Sequence, residues 1–118
     1  MDPLTQRFIT AIGITESNGH TEAWGDSGQA MGRFQMHPSF VWQYGPDDVE
    51  LTSTWDEVGI TTLEAFVADR REAVGHNYTR LAQEFHLGVH AVATGKWDED
   101  YHNRFVRAWA ASAPASHG

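Results

Sequence analysis

A single glutamate, Glu16, is the residue of this chain best placed to do chemistry. It ends an apolar, helix-like run, and glycines follow it at positions 19, 25, 28 and 32, a spacing typical of a tightly turned loop. Backbone of that flexibility can approach a ligand closely. A carboxyl group delivers a proton near neutral pH if burial raises its pKa toward about 6. Glu16 is therefore either a general acid in a cleft or a helix-terminal side chain that satisfies backbone N–H groups of the next loop.

The element that must position Glu16 is a first helix over about residues 3–17. Asp2 is a favourable N-cap, and Pro3 suits the first helical position because its missing N–H would have no partner there. The apolar residues of one helix face recur every four positions, at Leu4, Phe8 and Ile12. Glu16 continues that face, so the spacing predicts a carboxylate that points toward the core side.

Three motifs begin at or follow Glu16. They read E-S-x-G at 16–19, W-G-D-x-G-x-A-x-G at 24–32 and F-Q-M at 34–36. Together they resemble the catalytic segment of goose-type lysozymes and soluble lytic transglycosylases, in which a helix-terminal Glu before Ser precedes G-D-x-G-x-A-x-G-x-x-Q. Glu16, Asp26 and Gln35 occupy the matching positions. The resemblance is close over about residues 5–38 and looser beyond.

The resemblance implies a mainly α, α+β lysozyme-like fold: one domain over residues 1–118, with a helical lobe and a small loop or hairpin region after the first helix. It implies cleavage of the β-1,4 bond between N-acetylmuramic acid and N-acetylglucosamine in peptidoglycan, without a cofactor. Glu16 would be the general acid/base, and Asp26 the second catalytic residue. The implied substrate-binding residues are Ser17, Gln35, Met36, His37, Phe85 and His86.

One departure from the family pattern concerns a later Tyr-Asn-x-Gly motif. Its counterpart is either Phe85-His86-Leu87-Gly88 or Val92-Ala93-Thr94-Gly95. In the first alignment, Phe for Tyr loses a hydroxyl near the acid, while His for Asn can still donate to an acetamido carbonyl.

A second departure bears on the reaction product. The goose-type enzymes have an Asp two residues after the Gln, and this chain has His37 there. Inverting hydrolysis needs a second carboxylate about 6.5–9.5 Å from the acid to hold a water, so water activation would depend on Asp26, with help from His37. Without that water, Glu16 would act first as acid and then as base. It would take the proton of the muramic C6 hydroxyl and release a 1,6-anhydro product.

The rest of the chain predicts further helices. In chain order, the predicted elements are a small two-stranded element around 30–36, a helix over 39–44 closed by Gly45, one over 61–84 or two halves broken at Gly75, a short helix over 89–94 closed by Gly95, and a last helix. Residues 61–64, Thr-Thr-Leu-Glu, match a capping box for the long helix. Asp98 or Asp100 caps the last helix, in which three aromatic residues are four apart: Tyr101, Phe105 and Trp109.

The composition restricts the class of protein. A net charge of −8 argues against a nucleic-acid-binding face, which is built from clustered Lys and Arg. The chain has no run of about 18 apolar residues, so no membrane-spanning helix is predicted. The absence of Cys excludes disulfides and fits a reducing compartment. The start lacks the pattern of a secretory signal. The small size, the absence of Cys and the absence of a signal favour a phage or prophage enzyme made in the cytoplasm that acts on the cell wall, with a holin or a virion component for delivery. The acidic charge is unusual for an enzyme that must find an anionic wall.

Three alternatives remain open from the residues. His86 and His90 are four apart with Glu84 close by, and such a pair on one helix face can bind zinc, although H-E-x-x-H is absent. Chitin oligomers present the same acetamido groups as peptidoglycan. A non-catalytic binding or virion structural module could also retain a lysozyme-like frame.

Overall fold

The protein is described here from a computed structural model covering residues 2–17, 24–25, 30–31, 38–45 and 55–112. These residues are mainly helical, which confirms that part of the predicted fold class. The helices are α1 (Pro3–Ser17), α2 (Pro38–Tyr44), α3 (Trp55–Arg70), α4 (Tyr78–Leu87), α5 (Val89–Ala93) and α6 (Glu99–Ala111). In the described part of the chain, no helix is long and apolar enough to cross a membrane.

A minimal antiparallel ladder follows α1 in the chain. Strand β1 (Trp24–Gly25) pairs with β2 (Ala30–Met31), so that Trp24 lies opposite Met31 and Gly25 opposite Ala30. The predicted two-stranded element around 30–36 therefore overlaps an observed strand at its first two residues, and residues 32–36 lie outside the described part of the chain.

The predicted bounds of α1 are confirmed at both ends. The Thr5 N–H donates to Asp2 Oδ1 (3.0 Å), and the Thr5 hydroxyl donates to Asp2 Oδ2 (2.7 Å), so Asp2 caps the helix as expected. The prediction is wrong at Leu4, which is 46% exposed, whereas Phe8 and Ile12 are completely buried. A step of four residues advances the helix by about 400°, so Leu4 is rotated roughly 80° from Ile12 and leaves the buried face.

Helices α1 and α6 run antiparallel and form the centre of the core. Near the start of α1, the Arg7 guanidinium donates to the carbonyl of Trp109 (2.8 Å), while near its end Glu16 meets Tyr101. The Phe8 ring packs between the two helices, 5.8 Å from the ring of Phe105. This pairing brings the carboxyl end of α1 to the amino end of α6.

A second aromatic group joins α2, α3 and α4. The centroid of the Phe40 ring lies 5.3 Å from that of Phe66 and 5.1 Å from that of Phe85. The Phe40 and Phe85 rings are arranged edge to face. The predicted end of α2 at Gly45 is confirmed. A Cβ there would lie 2.5 Å from the carbonyl oxygen of Val41, so only glycine fits this close approach.

The start predicted for the third helix is wrong. Helix α3 begins at Trp55, so Thr61, the first residue of the predicted capping box, lies inside the helix. The next residue, Thr62, is buried, and its hydroxyl bonds back to the carbonyl oxygen of Val58 at 2.6 Å. Of the two predicted forms, the broken one is observed: Gly75 has φ of 62°, and Asn77 caps α4 by accepting from the N–H of Arg80.

The last two helices follow the sequence pattern closely. Helix α5 ends at Ala93, one residue before the predicted end, and Gly95 follows with φ of 97°. Asp98, not Asp100, caps α6, because Asp98 Oδ1 accepts from the backbone N–H of Tyr101 at 3.0 Å. Tyr101 and Phe105 are buried as predicted.

Candidate active site around Glu16

Glu16 lies in the last turn of α1 and is partly exposed. The Tyr101 hydroxyl donates to Glu16 Oε1 at 2.9 Å, joining residues that are 85 positions apart in the chain. This contact holds the carboxylate at the α1–α6 junction while part of the side chain stays accessible. A partly exposed acid whose Oε1 accepts a hydrogen bond from a buried tyrosine suits proton transfer to a bound ligand.

Tyr101 is the fully buried partner of this carboxylate. Burial raises the pKa of Tyr101 well above its usual value, and the negative charge of Glu16 and their hydrogen bond raise this pKa further. The phenol therefore stays protonated near neutral pH. It remains available as a hydrogen-bond donor to Glu16.

His86 and Asp98 continue the arrangement beyond Tyr101. The His86 ring is stacked on the Tyr101 ring with centroids 3.9 Å apart and planes 3° from parallel. His86 Nε2 lies 2.9 Å from Asp98 Oδ2. The backbone N–H of Tyr101, followed by His86, lowers the pKa of Asp98, so Asp98 is an acceptor and the proton of the shared hydrogen bond belongs to His86 Nε2.

Gln83 fixes the backbone of Asp98 from inside the protein. Its amide group donates to the Asp98 carbonyl at 2.8 Å and accepts from the Asp98 N–H at 3.0 Å. Gln83 is completely buried, so this pair of bonds satisfies polar groups that water does not reach. Helix α4 thereby holds the residue that caps α6.

Arg104 places a positive charge at the same junction. Its Nη1 donates to the carbonyl oxygen of Thr15 at 3.1 Å, near the carboxyl end of α1, where a cation complements the helix dipole. The guanidinium carbon lies 5.4 Å from the centroid of the Tyr101 ring, within the range of a cation–π contact. Arg104 also pairs with Asp100, one turn earlier on α6 (3.2 Å).

The structure brings two of the predicted site residues into contact with Tyr101: Glu16 with its hydroxyl and His86 with one face of its ring. The Phe85 ring packs against Phe40 and Phe66 in the aromatic group. Ser17 is the last residue of α1. Four further predicted site residues lie outside the described part of the chain: Asp26, Gln35, Met36 and His37.

Tyr101, Asp98 and Gln83 were not predicted from the sequence as parts of the site. Tyr101 was predicted only as a core position of the last helix, and Asp98 only as a cap. The signal that could have pointed to Tyr101 is the hydroxyl missing at Phe85, because a family pattern with a phenol beside the acid then requires another tyrosine to supply it.

Both stretches considered for the Tyr-Asn-x-Gly motif end in glycines with positive φ, Gly88 at 100° and Gly95 at 97°.

The premise of the zinc alternative is wrong. His86 and His90 do not share one helix face, because Gly88 separates α4 from α5 with φ of 100°. Glu84 is instead bonded through both oxygens to the Arg70 guanidinium, each at 2.9 Å. Among the residues that the structure describes, no group of three or more His, Asp or Glu side chains is arranged to hold a metal ion.

Comparison of the chain with protein-family models, curated proteins and solved structures gives no match. The likeness to goose-type lysozymes therefore depends on the motif residues of the chain itself. The α1–α6 junction adds geometry at one of those residues, Glu16.

Proposed function

We propose that this protein is a peptidoglycan-degrading glycosidase with a lysozyme-like α+β fold and Glu16 as its general acid/base. The observation that supports this best is the partly exposed Glu16 carboxylate at the end of α1, held by the hydroxyl of the buried Tyr101. Tyr101 provides a phenol beside the acid, the group that Phe85 lacks.

The Tyr101 contact suits a residue that changes protonation state during a reaction. A tyrosine hydroxyl donates to a carboxylate and accepts from a protonated carboxyl group, so it orients Glu16 in both states. Glu16 would protonate the leaving oxygen as the bond between C1 of N-acetylmuramic acid and that oxygen breaks. The resulting carboxylate would then be available as a base.

The second half of the reaction has two possible nucleophiles. In hydrolysis, a water activated by Asp26 attacks C1 and leaves a reducing end. In the non-hydrolytic reaction, the C6 hydroxyl of the same sugar attacks C1, Glu16 takes its proton, and a 1,6-anhydro end forms. The substrate in both cases is the glycan strand, and neither path requires a cofactor. Delivery to the wall would use a holin or a virion component.

Mass spectrometry of the fragments released from purified sacculi of several bacterial species tests the proposal. Release of disaccharide-peptides with reducing ends indicates a lysozyme, and anhydro ends indicate a lytic transglycosylase. Turnover of chitin oligomers with none on sacculi would replace the substrate with chitin. A folded protein that cleaves neither polymer would contradict the enzymatic proposal and favour a non-catalytic binding or virion module.

A further inference from the structure

We propose that His86 and Asp98 are positioning residues that act on Glu16 through Tyr101. This inference rests on the proposed role of Glu16 as acid/base. It assigns His86 a role different from the one implied by the sequence, where His86 was expected to contact the substrate directly. His86 and Asp98 would instead control how firmly the Tyr101 hydroxyl holds the acid.

The stack between His86 and Tyr101 restricts the tyrosine ring. Rings that are 3° from parallel with centroids 3.9 Å apart overlap closely, so the Tyr101 ring cannot turn without displacing the imidazole. Because the hydroxyl is fixed to the ring, the orientation of the ring determines the direction from which Tyr101 donates to Glu16 Oε1. His86, although exposed at the surface, therefore helps to fix the direction of a hydrogen bond formed at the α1–α6 junction.

Asp98 connects the backbone and the ring of Tyr101 through one carboxylate. Its Oδ1 accepts from the Tyr101 N–H at 3.0 Å, and its Oδ2 accepts from His86 Nε2 at 2.9 Å. Gln83 holds the Asp98 backbone through two hydrogen bonds, so the carboxylate has little freedom. A shift of Asp98 would move both the first turn of α6 and the imidazole that covers Tyr101.

A positive charge on His86 would add a second effect. An imidazolium stacked on a phenol draws electron density from the ring and makes the O–H a stronger donor to the Glu16 carboxylate. Among the residues that the structure describes, the charged or titratable groups around this stack are Asp98 beside the imidazole, Arg104 by the tyrosine ring and Glu16 at the phenol oxygen.

Three variants separate the parts of this arrangement. H86A removes the stack and the charge, H86F keeps an aromatic ring without charge, and D98N keeps an N-cap, because Asn caps helices as well as Asp, but loses the negative charge. E99Q is the matched control, since Glu99 is the next acid in the chain and its carboxylate contacts the Trp97 indole N–H (3.2 Å).

Steady-state kinetics on solubilised glycan strands at neutral pH give the first result. We expect H86A to lower kcat by roughly tenfold to a hundredfold with little change in KM, the effect of a misdirected catalytic group. H86F should recover part of kcat, because it keeps a ring on the face of Tyr101. D98N should also lower kcat, because His86 Nε2 loses the carboxylate that accepts its hydrogen bond. Wild-type kcat in H86A, or equal losses in E99Q and D98N, would overturn the proposal.

An NMR measurement decides the same point without using activity. The His86 ring protons should be shifted upfield by the Tyr101 ring current, and the pH dependence of these signals should change in E16Q but not in E64Q, whose glutamate is exposed on α3. Unchanged signals in E16Q would contradict coupling between His86 and Glu16. If wild type cleaves no glycan, the proposed function fails, and this comparison alone still tests whether the two side chains are linked.

Discussion

Replacing Tyr101 by Phe tests the part of the site that the structure added to the sequence. The change removes one oxygen and keeps the buried ring stacked on His86. A hydrogen bond to a charged group contributes about 1.5–3 kcal/mol. Because about 1.4 kcal/mol corresponds to a tenfold change in rate, losing this bond in the transition state would lower kcat by roughly 10- to 150-fold.

The expected loss of stability in Y101F is smaller. Glu16 is partly exposed, so water can replace the lost donor, and the phenyl ring leaves no new buried polar group. The free energy of unfolding should therefore fall by about 0.5–1.5 kcal/mol, the net value of an ordinary hydrogen bond. The assays are muropeptide release from sacculi at several substrate concentrations and urea unfolding followed by circular dichroism.

Y44F is the matched control for Y101F. The Tyr44 hydroxyl also donates to a carboxylate, Asp69 Oδ2 at 2.8 Å, and burial followed by this hydrogen bond raises the pKa of Tyr44 to about 12. Y44F should lose stability but keep wild-type kcat. The reasoning is refuted if kcat of Y101F stays within about twofold of wild type, a difference well under 1 kcal/mol, or if Y44F loses as much kcat as Y101F.

Three further predictions concern the frame of the site. E84A should lower the free energy of unfolding by about 3 kcal/mol in urea titrations, because it leaves Arg70 without its buried partner; an effect below about 1 kcal/mol would contradict this. G45A should cost about 1–3 kcal/mol, since the new Cβ would lie 2.5 Å from a backbone oxygen of α2; a Tm equal to wild type would show that the helix end relaxes freely. The pKa of Asp2 is lowered, chiefly by Thr5, so its carboxylate stabilises the fold fully above the ordinary pKa of 3.8 and progressively less as the pH falls. D2N should therefore be less stable than wild type at neutral pH and approach it in acid, and a difference that persists unchanged to low pH would oppose this.

Local chemistry predicted the helices whose ends carry their own signals. Asp2 and Pro3 marked the start of α1, Gly95 the end of α5, and Asp98 or Asp100 the start of α6, because capping depends on neighbours in the chain. The start of α3 was missed for the same kind of reason. A Thr-x-x-Glu stretch in the middle of a helix, such as residues 61–64, has the same sequence as one that caps a helix.

The sequence predicted Glu16 as part of the candidate site but not its contact with Tyr101. Glu16 stood out because a carboxylate at the end of an apolar helix and before several glycines is unusual. Its contact with Tyr101 depends on the antiparallel register of α1 and α6, which local spacing does not specify. Tyr101, four residues before Phe105, has the pattern of a core residue, and it is one. Its hydroxyl gains a second role only because the end of α1 lies beside it.

The most direct test of the account compares wild type with E16Q at equal concentration on purified peptidoglycan, with E64Q as the control for removing one carboxylate. Circular dichroism and urea unfolding should show that all three proteins are folded. The account predicts that wild type and E64Q solubilise the polymer and that E16Q does not. Solubilisation by E16Q at the wild-type rate, or none by folded wild type, would contradict it.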